Sequence, residues 1–121
     1  MEAVQLQLSA LWVATMLTYL LGDVLRIFSG DFQAGEIGGM QVSQTMYLGL
    51  ALLLVLPIIM VVAALVLPPA INRWANIAIA VVLLGFNLVG LPTYPSLYDR
   101  FLIIVGLGFN VLVVWYAWNW V

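Results

Sequence analysis

The chain has 121 residues, of which 66% are hydrophobic and 7% charged, and its formal net charge is −2. A soluble domain carries about 25% charged residues, so this composition excludes a water-facing surface and indicates lipid as the solvent. Cysteine and histidine are both absent, which excludes disulfides, imidazole metal ligands and histidine-based catalysis, and the few basic residues argue against nucleic-acid binding.

In lipid every backbone polar group must pair internally, which leaves helices or a closed barrel. The apolar segments do not alternate with polar residues as barrel strands do, so they predict helices of roughly 20 residues each. The first predicted helix covers 6–28, and we expect it to be retained in the protein, because Glu2 stands where a signal peptide carries positive charge. A polar, glycine-rich connection follows at 29–43.

The second predicted helix covers 44–67, with Ser43 as its N-cap. Pro68 and Pro69 end it, because proline has no backbone N–H and clashes with the preceding turn.

The third predicted helix covers 73–91 and stops at Pro92, and the fourth covers 97–120. The connection at 70–72 is so short that the helices on either side of it must be antiparallel neighbours. The fold class is therefore all-α, a membrane-embedded antiparallel four-helix bundle that forms one domain over 1–121.

Four passes place both termini on one face, here called the terminal side, and the opposite face is called the loop side. Interfacial aromatic residues support spans of bilayer length. The tryptophans lie toward the terminal side: Trp12, Trp74, Trp115, Trp118 and Trp120.

Small and amide residues fall on single faces of the third and fourth helices. Asn76 lies on such a stripe of the third helix, and Gly106 and Asn110 lie on one of the fourth. Residues of these types permit close helix approach and interhelical hydrogen bonds in membranes, so we predict that these three pack in the bundle centre.

Charged and polar residues of three helices converge at similar depth near the loop side. The predicted polar cluster comprises Tyr19, Asp23, Arg26, Asn87, Asp99 and Arg100. In one interpretation the charges neutralise one another and hold the helices together, as intramembrane charges generally do. In the other they form a ligand or proton-coupled site in which Asp23 titrates beside Arg26 or Arg100.

Four short segments of the chain carry a resemblance to a known protein family: 8–12 (LSALW), 19–23 (YLLGD), 57–60 (PIIM) and 72–76 (NRWAN). In these segments the chain resembles a family of small four-pass prokaryotic membrane proteins whose function is uncharacterised. The resemblance implies a four-helix membrane fold and no activity, and it suggests Asp23 and the segment 73–76 as the first positions to test.

Three classes of function are weighed. The first is a scaffold or accessory subunit of a membrane assembly, since the chain has almost no mass outside the bilayer. The second is a transporter of a small solute, ion or proton that acts as a homo-oligomer. An enzyme is disfavoured because no pair of residues has a catalytic spacing, so no catalytic residue, metal or cofactor is assigned.

The expected partners are the lipid bilayer and other membrane subunits or further copies of the chain, with no nucleic acid. We expect a multi-pass protein of the prokaryotic cytoplasmic membrane. The positive-inside rule gives a nearly even balance, because Arg73 and the N-terminal amine lie on the terminal side and Arg26 and Arg100 lie on the loop side. Cytoplasmic termini are favoured, since the acidic connection at 29–43 would then lie outside.

Overall fold

The computed structural model describes residues 2–30, 36–37, 40–41, 43–94 and 96–120. Within these ranges the chain forms helices α1 (Ala3–Ser29), α2 (Gln44–Val66), α3 (Pro69–Gly90) and α4 (Leu97–Trp118). A short 3-10 turn, Leu91–Thr93, follows α3. Two strands of two residues each, β1 (Glu36–Ile37) and β2 (Met40–Gln41), pair antiparallel in the connection between α1 and α2. The other residues of that connection lie outside the described ranges.

Helix α1 begins at Ala3, three residues before the predicted start. Glu2 and Gln5 form a capping box, in which the Glu2 backbone N–H donates to Gln5 Oε1 at 2.9 Å. This pairing satisfies backbone donors that a helix start leaves free, so the polar residues before 6 extend the helix. The helix ends at Ser29 and is capped by Gly30, whose φ of 83° lies in the left-handed region that glycine adopts without strain.

The connection between α2 and α3 is shorter than the sequence predicts. Ser43 caps α2 as expected, accepting from the Met46 backbone N–H at 3.2 Å. Helix α3, however, begins at Pro69, four residues before the predicted start at 73. A proline at the first helical position loses no hydrogen bond, so the Pro68-Pro69 pair ends one helix and starts the next.

The four helices pack as an antiparallel bundle, which confirms the predicted fold class. Helix α1 packs extensively against α2 and α4, and α4 packs also against α3. Helices α2 and α3 contact each other much less, although two residues link them. The buried apolar core lies mainly in the half of the bundle nearer the terminal side: Leu8, Trp12, Met60, Ala64, Ala80, Leu83, Val113, Ala117 and Trp120.

The outside of the bundle is apolar. Large side chains such as Leu17, Val62 and Ile104 are more than half exposed, whereas the buried positions include asparagines, threonines and Asp99. All four helices are long and apolar enough to cross a membrane. This inside-out distribution is what lipid, and not water, stabilises.

Candidate functional site: polar networks inside the bundle

Arg26 joins two carboxylates near the loop side. Its Nη1 donates to Asp99 Oδ1 at 2.9 Å, and its Nη2 pairs with Asp23 Oδ1 on the same helix. The Asp99 side chain is 6% exposed and the Asp23 side chain 56%. The guanidinium also lies 5.8 Å from the centre of the Tyr94 ring. Arg26 thus links α1 to α4 through a charge-assisted hydrogen bond to a buried partner.

The structure does not bring Arg100 into this ion-pair cluster. Its Nε donates to the backbone carbonyl of Tyr94 at 2.6 Å. Arg100 follows Asp99 directly, and consecutive residues of an α-helix point about 100° apart, so both cannot face the same partner on α1. Nearby, the hydroxyls of Ser29 and Tyr98 lie 2.9 Å apart and join the end of α1 to the start of α4.

About two helical turns deeper than Arg26, Tyr19 and Asn87 connect α1 to α3 across the bundle. Asn87 Nδ2 donates to the Tyr19 hydroxyl at 2.8 Å and to the Leu83 carbonyl at 2.9 Å. The Tyr19 ring passes close to Gly106, where a Cβ atom would lie 3.5 Å from Tyr19 Cε1. This distance is an ordinary van der Waals contact, so α4 packs against α1 at Gly106 without requiring glycine there.

Asn110 lies one turn beyond Gly106 on α4 and is fully buried. It is a neighbour of the Tyr19 hydroxyl. Among the described residues, however, neither its Nδ2 nor its Oδ1 has a hydrogen-bond partner. The sequence predicts Asn110 as a packing residue and does not predict an unpaired amide, because a partner can only be assigned once neighbouring rotamers are known.

A second buried network, which the sequence did not predict, lies toward the terminal side. The Trp12 indole N–H donates to Asn76 Oδ1 at 2.7 Å, and Asn76 Nδ2 donates to Asn72 Oδ1 at 2.6 Å. Asn72 Nδ2 donates in turn to the Ala64 carbonyl at 2.8 Å. These four residues are fully buried, so the chain of hydrogen bonds joins α1, α3 and the end of α2 in the core.

Proline explains why Asn72 is needed there. The Ala64 carbonyl would normally accept from the N–H of residue 68, which is proline and has none. Asn72 supplies the missing donor from the first turn of α3. The signal is visible in the sequence as a proline followed four residues later by asparagine.

Arg73 forms a third polar contact, at the terminal side. Its Nε and Nη2 donate to the carbonyls of Ala117 and Trp118 at 3.0 and 2.9 Å. Its guanidinium lies 5.1 Å from the Trp74 ring centre and 5.5 Å from that of Trp118. A cation at this position bonds to carbonyls at the end of α4 and complements the helix dipole.

Beside it, the Trp120 indole N–H donates to Glu2 Oε2 at 2.8 Å. This contact joins the two ends of the chain. Within the described residues, no group of three or more acidic side chains is placed to hold a metal ion.

These features define a class: a small four-pass helical bundle with an apolar exterior and polar networks inside it. The model of the family of unknown function DUF6326 matches residues 1–121, and the chain belongs to this family. The resemblance to an uncharacterised family of small four-pass proteins is therefore confirmed. No curated protein and no solved structure matches the chain.

Proposed function

We propose that the chain is a non-catalytic scaffold or accessory subunit of a membrane assembly. The observation that carries this proposal is the internal pairing of the charges near the loop side. Arg26 engages both Asp23 and Asp99, which supports the interpretation that these groups hold helices together and do not act on a substrate. Charges paired in this way are a structural feature of many membrane bundles.

The exposed surface of α2 supports a role in assembly. Only Pro57, Met60 and Ala64 of this helix are buried, so most of its circumference is available to lipid or to another helix. Association in the membrane depends on side-chain packing more than on polarity, so an apolar face of this kind can accept a partner subunit or a second copy.

Native mass spectrometry of the chain extracted in mild detergent tests this proposal. We expect a complex of defined stoichiometry. Leu52→Trp on the exposed face of α2 should weaken the complex, while Val111→Trp, equally exposed on α4, serves as a matched control. A lone monomer under every mild condition would count against an accessory role.

Asn110 favours a second candidate, transport of a small solute, ion or proton by a homo-oligomer. A buried amide without a hydrogen-bond partner costs about 1–3 kcal/mol, so Asn110 is a candidate for a role beyond helix packing. Polar groups at such depth often mark a pathway through the membrane.

Asn110→Leu separates the two candidates. Leucine has a similar volume and no unpaired polar atom, so the free energy of unfolding should rise by about 1–3 kcal/mol. Asn119→Leu, an exposed position, is the control and should change little. If reconstituted wild-type protein moves an ion or solute and the stable Asn110→Leu variant does not, transport replaces the scaffold proposal.

We also propose that the chain resides in a prokaryotic cytoplasmic membrane with both termini in the cytoplasm. What supports this orientation is the acidic connection at 29–43 on the loop side, which is more easily placed outside than the terminal side, where Arg73 lies near the start of α3. Its partners would then be other integral subunits or copies of the chain itself, within the same bilayer.

A further inference from the structure

An open pocket lies on the terminal side, apart from the networks inside the bundle. It has a volume of about 350 Å³ and is lined by Pro69, Ala70, Arg73 and Trp120. A water molecule occupies about 30 Å³ in the liquid, so a phosphate group with part of a glycerol unit fits this space. The pocket is formed where the start of α3 meets the residues that follow α4.

The pocket contains a cation, Arg73, whose guanidinium is held in place by hydrogen bonds from only some of its N–H groups. Arg73 Nε and Nη2 bind backbone carbonyls at the end of α4, which orients the guanidinium. Within the described residues Nη1 has no partner and Arg73 forms no ion pair. A pre-oriented guanidinium with free N–H groups is well suited to bind phosphate oxygens, because little further ordering is required.

The surroundings of Arg73 place it at the level of lipid headgroups. The flanking rings of Trp74 and Trp118 are 54% and 60% exposed, and tryptophan collects where headgroups meet acyl chains. The two rings contact each other edge to face, with 6.3 Å between their centres, and the Arg73 guanidinium lies over both, so a ligand that reaches Arg73 does so beside this aromatic pair. This environment favours a phosphate attached to acyl chains over a free, fully hydrated ion.

The carboxylate of Glu2 disfavours binding of a ligand that carries more than one negative charge. Its Oε2 accepts from the Trp120 indole N–H, so a carboxylate lies beside one wall of the pocket. One guanidinium next to one carboxylate favours a singly charged phosphodiester over doubly charged inorganic phosphate. We infer that this pocket binds the headgroup phosphate of an anionic phospholipid in the terminal-side leaflet, with Arg73 Nη1 as the principal donor.

The full chain, purified in a nonionic maltoside detergent, is titrated with phosphatidylglycerol and with phosphatidylcholine, and bound lipid is counted by native mass spectrometry. We expect one phosphatidylglycerol retained per chain and weaker retention of phosphatidylcholine, whose choline carries a compensating positive charge. Arg73→Gln should weaken phosphatidylglycerol binding by about 10-fold or more. Arg100→Gln removes the same charge on the loop side and should leave it unchanged.

Arg73 also holds the end of α4, so its replacement can unfold the bundle. Ala70→Leu covers this risk, because Ala70 is exposed and a larger side chain fills the pocket while the hydrogen bonds of Arg73 remain. This variant should also weaken binding by about 10-fold, with the melting temperature in detergent unchanged.

Several results would overturn the inference. One is a folded Ala70→Leu variant that binds phosphatidylglycerol as tightly as the wild type does. Another is a loss of phosphatidylglycerol binding in Arg100→Gln as large as that in Arg73→Gln. A third is equal retention of phosphatidylglycerol and phosphatidylcholine by the wild type. Displacement of phosphatidylglycerol by millimolar inorganic phosphate would show a site for free anions and would exclude the lipid.

Discussion

Asp23 and Asp99 share one arginine but differ in environment, and this difference sets what each contributes. Asp99 is almost fully buried on α4, whereas the Asp23 side chain is half exposed. Loss of a buried hydrogen bond to a charged group costs about 1.5–3 kcal/mol, even though Arg26 keeps Asp23 as a partner, while an exposed ion pair contributes little. The bond between Arg26 and Asp99 is therefore the one that joins helices, and the bond to Asp23 supports it.

Asp99→Asn should lower the free energy of unfolding by about 2 kcal/mol, and Asp23→Asn by about 0.5 kcal/mol. Unfolding of both variants and the wild type in the same detergent tests whether Asp99→Asn is the more destabilising of the two. Equal effects would contradict the structural interpretation of the cluster. If Asp23→Asn stays folded but loses a pH-dependent or ligand-dependent response, the cluster is instead a functional site.

Depth along the helices predicts part of this cluster, and side-chain direction decides the rest. Tyr19 with Asn87, and Arg26 with Asp23 and Asp99, come together as their heights in the bundle suggest. Arg100 has the right depth but the wrong direction, because it lies next to Asp99 on the helix. A sequence gives height from residue number, but the contacts of a side chain also depend on helix rotation and rotamer.

At the scale of elements, the Pro68-Pro69 pair shows that a sequence predicts the end of a helix before proline better than the start of the helix that follows. Proline disrupts the helix that precedes it, so the end of α2 is predicted to within one residue. The start of α3 is missed because proline is compatible with the first turn of a new helix. The result is a very short turn whose unpaired Ala64 carbonyl depends on Asn72.

Asn72→Leu should therefore destabilise the bundle by about 2 kcal/mol, because it leaves the Ala64 carbonyl unpaired and removes a partner of Asn76. Asn119→Leu is a suitable control, since the amide of Asn119 bonds to the Trp115 carbonyl at the exposed end of α4. Thermal unfolding of both in the same detergent makes the comparison. An equal or negligible loss would mean that the Ala64 carbonyl finds another donor.

In the whole molecule, polar bonds take the place that apolar burial holds in a soluble bundle. Lipid solvates the outer leucines and valines as well as a protein core does, so burial of apolar area gives little driving force between helices. The structure instead joins α1 to α3 by hydrogen bonds at two depths, through Asn76 and Asn87, and joins α1 to α4 through Arg26. Composition predicts the four membrane-spanning helices. It does not predict these hydrogen bonds between helices, because they depend on how the helices are arranged around the bundle.

The same architecture fixes which ends of the helices share a membrane face, and the absence of cysteine from the chain makes this measurable. Ser43→Cys places a thiol at the loop side and Asn119→Cys places one at the terminal side, and both positions are exposed. With cytoplasmic termini, an impermeant maleimide added to intact cells should label only Ser43→Cys, and opening the cells should expose Asn119→Cys. Ala80→Cys, fully buried, should stay unlabelled in both cases. The reverse pattern would keep four spans and overturn the proposed orientation, whereas labelling of both exposed sites from outside would contradict the antiparallel crossing of the membrane.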